Sequence, residues 1–149
     1  MNAPVNIPEH RFDLRIYYED TDHGGVVYYA NYLKYMERAR TEYMRNHGIE
    51  LDRLQHDDGV LFAVTEAHVH YRRPARFNDA LHVLSQLSYA HGARLGFRQI
   101  VMRDNDVLAE GEIKLACMDT QGRARRIPQA LLNTFGQTLS GNATARKKP

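Results

Sequence analysis

The sequence lacks the features that mark exported and membrane-spanning proteins. It has a single cysteine, which excludes an intrachain disulfide. No segment approaches the run of about 20 apolar residues that a membrane-spanning helix requires, so no membrane span is expected. Residues 1–10 include two prolines and no apolar run, which is unlike a signal peptide. Together these absences predict a cytoplasmic protein.

The sequence also lacks the residue spacing of common metal sites. Without a cysteine pair a zinc–thiolate site is not expected, and the eight histidines show no HExxH pattern. Cys117 lies in the apolar run 113–118. A buried structural thiol is favoured there over a nucleophile, because free cysteine usually behaves as a small hydrophobic residue. No metal is therefore expected.

A strong charge of either sign is missing too. The formal net charge of +2 gives no argument for a nucleic-acid-binding protein. The positive charge is mostly arginine and is clustered in residues 72–76, 123–126 and 146–148. Any one cluster is best explained as a solvated face. The alternative is a site for an acidic small ligand, such as a nucleotide-like cofactor or substrate.

The polar and apolar pattern predicts an α+β fold. The length of 149 residues, 43% of them hydrophobic, is typical of one domain with a real core. The short turns between the last four predicted strands require an antiparallel sheet. We predict a single domain over residues 1–139 and a disordered basic tail over residues 140–149. The predicted strands are 10–18, 60–71, 80–89, 94–103 and 107–118, and the predicted helices are 29–47, 51–56 (a short helix or turn) and 128–139.

The predicted long helix over residues 29–47 is apolar around about half of its circumference, more than a surface helix requires. A single sheet curling around this helix would explain the width of the apolar face. Arg40 falls inside that face, and Glu37 precedes it by one helical turn. A partly buried ion pair between the two is favoured over a role in a functional site.

Asp22 has the strongest local case for chemistry. It lies in a turn with Gly24 and Gly25, just before the predicted long helix. An aspartate is ionised at neutral pH, and it can act as a nucleophile on an electrophilic carbon or deprotonate a water molecule. The N-terminus of the helix offers unpaired N–H groups that suit a developing oxyanion. On local pattern alone, an aspartate beside two glycines is more often turn or helix-cap chemistry.

A longer stretch around Asp22 carries a family resemblance. Residues 17–40 read YYEDTDHGGVVYYANYLKYMERAR, and residues 69–79 read VHYRRPARFND. The first segment resembles the signature of the 4-hydroxybenzoyl-CoA thioesterase family of hot-dog proteins, and most closely that of the Tol–Pal-associated acyl-CoA thioesterases. The rest of the chain fits the same layout to about residue 138.

The resemblance implies a hot-dog fold, in which a five-stranded antiparallel sheet wraps a long central helix. It further implies that two protomers join their sheets and that dimers commonly pair into a homotetramer; the choice between dimer and tetramer is left open. The implied reaction is hydrolysis of acyl-CoA without a metal or organic cofactor.

The resemblance also assigns site residues. The carboxylate of Asp22 takes the catalytic role, and the backbone N–H of Tyr29 polarises the carbonyl, whereas Asp20 and Glu19 remain structural. Many Tol–Pal-associated members carry histidine where this chain has Tyr29. The change is harmless if only the backbone acts there; otherwise substrate choice or rate should differ. His23 is a surface histidine or, alternatively, compensates for the missing imidazole.

Substrate contacts are predicted less specifically. Arg72, Arg73, Arg76 and Arg94 are candidates for the CoA phosphates, and Val60, Leu61 and Phe62 for the acyl pocket. The leading hypothesis is an acyl-CoA thioesterase. A second is a protein that binds an acyl carrier protein or envelope-biogenesis partners and has weak thioesterase activity. A hot-dog dehydratase is less favoured, because hydration normally needs an Asp/His pair. The acyl group is left open.

Overall fold

The computed structural model describes residues 10–147, and the side chains of residues 10–140. Five strands form one sheet in the order β1-β3-β4-β5-β2, which confirms the predicted α+β fold with a five-stranded antiparallel sheet. The strands are β1 (His10–Arg15), β2 (Leu61–Tyr71), β3 (Ala80–His91), β4 (Arg94–Arg103) and β5 (Asp106–Met118), and the helices are α1 (Asn31–Asn46), α2 (Leu51–Asp58) and α3 (Gln129–Lys147).

The first strand is shorter than predicted. β1 ends at Arg15, and a single 3₁₀ turn follows at Tyr18–Asp20. The Asp20 carboxylate accepts the N–H of Tyr17 at 2.8 Å. This side-chain bond offers the backbone an alternative to the sheet ladder, so the strand stops although its residues favour extended structure.

The last helix is longer than predicted. α3 runs from Gln129 to Lys147, so its backbone is helical over residues 140–147, where the sequence predicts a disordered tail. No proline interrupts the helix before residue 149, and the segment keeps helix-favouring residues such as Ala143 and Ala145. The rest of the predicted tail, residues 148–149, lies outside the described part.

The described chain forms two compact units. The first unit comprises the described residues up to Tyr43, together with Val69–Gln86 and Gln99–Gly111. The second comprises Met44–His68, Leu87–Arg98 and the described residues from Glu112 onward. A single domain over residues 1–139 remains a prediction. Among the described helices, none is long and apolar enough to cross a membrane.

The core of the first unit forms around α1. Tyr35, Met36, Ala39 and Tyr43 are fully buried, as the apolar periodicity predicts. Leu33, which the same apolar periodicity places on this face, is instead 41% exposed. The buried face is therefore narrower at the start of the helix than the sequence indicates.

In the second unit, Val60 and Phe135 are buried, and α2 is capped at its C-terminus by Gly59, which has a positive φ of 65°. Cys117 is fully buried, as predicted, and burial raises the pKa of its thiol. A thiol with a raised pKa is a poor nucleophile, which supports the structural interpretation of this residue.

Arg40 is buried, but its partner differs from the prediction. No ion pair to Glu37 forms in the described chain; instead Arg40 Nη1 donates to Gln99 Oε1 at 2.9 Å. Gln99 Nε2 donates in turn to the Met36 carbonyl and to Ser85 Oγ, both at 2.9 Å. Burial lowers the pKa of Arg40 to about 10, and the charge of Glu37 acts in the opposite direction. The sheet, rather than the helix, supplies the partner of this cation.

We expect Gln99→Leu to lower the free energy of unfolding by about 2–4 kcal/mol, because it strands the Arg40 guanidinium and two further polar groups in the core. Urea denaturation of the wild type and the variant measures this change. The double variant Arg40→Leu/Gln99→Leu should be less destabilised than Gln99→Leu alone, since no buried charge is left without a partner. A Gln99→Leu protein within about 0.5 kcal/mol of wild type would contradict this account of the network.

Candidate active site

The turn that holds Asp22 is a small closed hairpin. Thr21 forms a β-bridge with Val27, and the Asp22 N–H donates to the Val26 carbonyl at 2.8 Å. The Gly25 N–H donates back to the Asp22 carbonyl at 3.1 Å. Gly25 has φ +78°, a conformation that L side chains rarely adopt, and this explains the glycine at this position. The backbone around Asp22 is therefore fixed by its own hydrogen bonds.

The Asp22 side chain is exposed and only partly engaged. Its Oδ1 accepts the N–H of Gly24 at 2.8 Å. In the described part of the chain no cation pairs with this carboxylate. Asp22 lines an open hollow of about 760 Å³, together with Tyr18, Glu19, Thr21, His23, Tyr28 and Asn31. One carboxylate oxygen holds the turn, and the other can act on a molecule in the hollow.

The start of α1 presents free backbone donors. The Asp20 carbonyl accepts both the Tyr28 N–H at 3.0 Å and Asn31 Nδ2 at 2.9 Å, which fixes the entry of the chain into the helix. Within residues 10–147, the N–H groups of Tyr29 and Ala30 have no acceptor. Two unpaired donors at the positive end of a helix dipole suit a developing negative charge.

Tyr29 lines a second, smaller hollow of about 250 Å³, whose other lining residues are Val27, Tyr32, Tyr71, Arg72, Arg73 and Pro74. The rings of Tyr28 and Tyr29 lie 4.9 Å apart, and each lines a different hollow. The single chain therefore places the two predicted catalytic residues, Asp22 and Tyr29, on neighbouring hollows rather than in one.

A ladder of tyrosine rings connects the second hollow to the core. The centroid of Tyr71 lies 6.0 Å from Tyr29 and 5.3 Å from Tyr32, and Tyr32 lies 6.0 Å from Tyr35. Exposure falls along the ladder from 61% at Tyr29 to 1% at Tyr35. The ladder thus combines an exposed end that can touch a ligand with a buried end that holds it in place.

The pKa is raised for Tyr28 and for three phenols of the ladder, Tyr32, Tyr35 and Tyr71. A hydrogen bond with Tyr29 is the main cause of the raised pKa of Tyr28. Burial is the main cause for Tyr32, Tyr71 and Tyr35, and the Asp20 carboxylate adds to the rise at Tyr35. These phenol side chains are therefore uncharged at physiological pH.

The predicted phosphate-binding arginines of the first unit differ in availability. Arg72 is bound by Glu110, with Nε at 2.8 Å and Nη2 at 2.7 Å from the same carboxylate oxygen. Arg73 is held loosely, with Nη1 3.6 Å from Asp106, and it lines the second hollow. Arg73 is therefore better placed than Arg72 to meet an anion.

The loop of residues 72–79 is fixed against the Asp22 hairpin. The Val27 N–H donates to the Ala75 carbonyl at 2.8 Å, and the Ala75 N–H donates to the Tyr32 hydroxyl at 3.0 Å. Asp79 Oδ2 accepts Arg103 Nη1 at 2.7 Å and the Arg76 N–H at 2.8 Å. The floor of the second hollow is therefore preorganised.

The other predicted substrate residues lie in the second unit. Val60 is buried, Leu61 and Phe62 are half-buried at the start of β2, and Arg94 is exposed at the start of β4.

His23 is exposed and lines the hollow of Asp22. No cluster of metal-ligating side chains occurs among the side chains described, those of residues 10–140.

Tyr71 was not predicted as a lining residue of the site. It was predicted as the last residue of a strand and lies in the segment 69–79, without a role of its own, because its contact with Tyr29 joins positions far apart in sequence. The nine tyrosines, many of them between residues 17 and 43, were a signal that an aromatic surface existed. Its location depends on the fold.

Comparison with known proteins places this geometry in a family. A sequence profile of the thioesterase-like superfamily matches residues 17–135. The acyl-CoA thioester hydrolase YbgC of Escherichia coli O6:H1 is 38% identical over 135 residues, which cover 89% of this chain and 100% of that protein. The acyl-CoA thioesterase YbgC of Haemophilus influenzae is 41% identical over 108 residues, which cover 72% of this chain and 79% of that protein.

A solved structure supports the same family and fold. The crystal structure of a probable thioesterase from Bartonella henselae matches with a TM-score of 0.77 at 32% identity, over 80% of this chain and 98% of that one. The chain belongs to the thioesterase-like superfamily, which confirms the family, the hot-dog fold and the class of thioester hydrolase that residues 17–40 predict.

Proposed function

We propose that the protein hydrolyses an acyl-CoA thioester to a free acid and CoA, with Asp22 as the catalytic carboxylate. One observation carries the proposal. An exposed carboxylate on a rigid glycine turn stands beside a helix start whose Tyr29 and Ala30 N–H groups have no acceptor in the described chain. The relatives from E. coli and H. influenzae, which are named as acyl-CoA thioesterases, support this choice of substrate.

The chemistry needs only these groups. The thioester oxygen accepts the N–H of Tyr29, which stabilises the oxyanion as it forms. In the general-base route, Asp22 takes a proton from water, the hydroxide attacks the carbonyl, the C–S bond breaks and the proton passes to the CoA thiolate. In the nucleophilic route, Asp22 forms a mixed anhydride and releases CoA thiolate, and water then hydrolyses the anhydride. Neither route uses a metal or an organic cofactor.

A second copy of the chain is proposed to complete the site. β2 lies at the edge of the sheet, and residues 64–68 are all exposed, so both faces of this edge strand are open. A long open edge is a template for pairing with another strand. A homodimer joined along β2, or a dimer of such dimers, would cover this edge, and a partner's residues could close the two open hollows.

The substrate contacts also remain proposals. Arg73, with Arg72, Arg76 and Arg94 as further candidates, would meet the CoA phosphates, since guanidinium groups bind phosphate well. Val60, Leu61 and Phe62 remain candidates for the acyl pocket. The Tol–Pal association is proposed from the resemblance of residues 17–40, and the predicted cytoplasmic location also remains a proposal.

The release of free CoA, followed with a thiol reagent over a panel of acyl-CoAs, tests the proposal. We expect at least one member to be hydrolysed with kcat/KM of about 10⁴ M⁻¹s⁻¹ or more, the lower range of working enzymes. The panel should run from acetyl to palmitoyl and include aryl groups.

The competing function is a hot-dog protein that binds an acyl carrier protein or envelope-biogenesis partners. It predicts slow turnover of every acyl-CoA together with stoichiometric capture of such a partner in a pull-down. That combination of results would replace the enzyme proposal.

A further inference from the structure

We propose that the Tyr29 ring, supported by Tyr71, forms a specificity wall that favours planar acyl groups over saturated ones of the same size. This inference rests on the proposed function and assigns a role to a side chain that has so far entered only through its backbone. The residue is also the position at which this chain departs from many Tol–Pal-associated members.

The Tyr29 ring is held in place by neighbouring rings and is still accessible to a ligand. It is 61% exposed, although it packs edge-on against Tyr71, with centroids 6.0 Å apart and planes at 84°. Its contact with the Tyr28 ring, at 4.9 Å, is tilted, with planes at 45°. Tyr71 is itself 45% exposed and rests on the buried ring of Tyr32. Large aromatic side chains that are fixed in place and still exposed typically mark a binding surface.

The support beneath the wall is rigid. Tyr32 is 3% exposed, and its hydroxyl accepts the Ala75 N–H at 3.0 Å. Pro74 and Val27 line the same hollow of about 250 Å³, and Val27 is buried. A hollow of this size is below the range typical of drug-sized ligands, so it suits a compact group.

Covalent geometry places this wall beside the reacting carbonyl. The N–H proposed to bind the thioester oxygen and the exposed ring belong to the same residue, and only two carbon atoms separate them. A substrate whose carbonyl is held by that N–H therefore has its acyl group or its thioester sulfur close to the Tyr29 ring. Because the ring lines the compact hollow, we assign that hollow to the acyl group.

Ring geometry gives the direction of the preference. Aromatic groups gain from offset-stacked or edge-to-face contact with other rings, beyond the apolar area that they bury. A planar aryl group can meet the exposed faces of Tyr29 and Tyr71 in this way, whereas a puckered saturated ring gains only burial. The loosely paired Arg73 at the rim adds attraction for an electron-rich ring.

The test compares benzoyl-CoA with cyclohexanecarbonyl-CoA, two substrates of matched carbon number that differ in planarity. After each kcat/KM value is divided by the rate constant for uncatalysed hydroxide hydrolysis of the same thioester, the ratio of benzoyl to cyclohexanecarbonyl should be about five for the wild type, the scale of a ring–ring contact. Tyr29→Leu and Tyr71→Leu should each reduce the ratio to about one, and Tyr29→Phe should keep it. All of these variants retain the backbone N–H at position 29.

Tyr17→Leu is the matched control, because Tyr17 is 63% exposed and lines neither hollow. It should leave both kcat/KM values unchanged. A wild type that hydrolyses alkanoyl-CoAs without preferring benzoyl over cyclohexanecarbonyl overturns the wall and leaves the proposed function standing. So does a ratio that Tyr29→Leu does not change. No hydrolysis of any acyl-CoA overturns both.

Discussion

We expect Asp22→Asn to lower kcat for acyl-CoA hydrolysis by at least about a hundredfold, the lower range for loss of a general base. The substitution removes the negative charge and the basic oxygen, and with them both routes of attack. The fold should be kept, because the amide oxygen of Asn can accept the Gly24 N–H that Asp22 Oδ1 now accepts at 2.8 Å. Steady-state kinetics and a thermal melt of both proteins measure the two effects.

Asp119→Asn provides the control for this substitution. Asp119 Oδ1 accepts the N–H of Gln121 at 2.9 Å, the same two-residue turn that Asp22 forms with Gly24, but it lies in the second unit. The same chemical change should there leave kcat within about threefold of wild type, since only an exposed ion pair to Arg123 is lost. Equal losses in the two variants would mean that the turn, rather than the Asp22 charge, governs activity.

The second large effect is expected from Tyr29→Pro, which removes the backbone N–H at the start of α1. Loss of one oxyanion donor typically lowers kcat by about a hundred- to a thousandfold. Tyr29 lies two residues before α1, so proline there interrupts no hydrogen bond inside the helix, and within residues 10–147 the Tyr29 N–H has no acceptor to lose. Circular dichroism together with kcat for the best acyl-CoA tests the expectation.

Tyr29→Ala separates the backbone from the side chain, because it removes the ring but keeps the N–H. The proline variant should be at least about tenfold slower than the alanine variant on the same substrate if the N–H polarises the carbonyl. Similar rates for the two variants would show that the donor lies elsewhere, with the Ala30 N–H as the next candidate.

Local sequence patterns predicted those helices and strands that interactions between neighbouring residues determine. Apolar periodicity located α1 to within two residues at its start, and the strand pattern located β4 from Arg94 to Arg103 without error. β1 was predicted too long, because the bond from the Tyr17 N–H to Asp20 competes with the ladder and has no periodic signature. The end of α3 was missed because a polar, basic composition was taken to indicate disorder.

Contacts between distant residues could not be predicted in the same way. Arg40 was expected to pair with Glu37, its neighbour on the helix, yet its partner Gln99 is 59 positions away. The division of the site into two hollows, with Tyr28 facing one and Tyr29 the other, also depends on how β2 and the loop after it return to the helix. The resemblance of residues 17–40 identified Asp22 and Tyr29 as the catalytic pair, and these roles remain predictions.

The central claim is that this chain hydrolyses acyl-CoA through Asp22, and the most direct measurement is CoA release by wild type and Asp22→Asn, purified in parallel. The variant serves as the blank, because any thioesterase carried over from the host would be present in both preparations. The account predicts rapid release by the wild type on its best acyl-CoA and a rate at least about a hundredfold lower for the variant. Equal rates, or no release from any substrate, would contradict it.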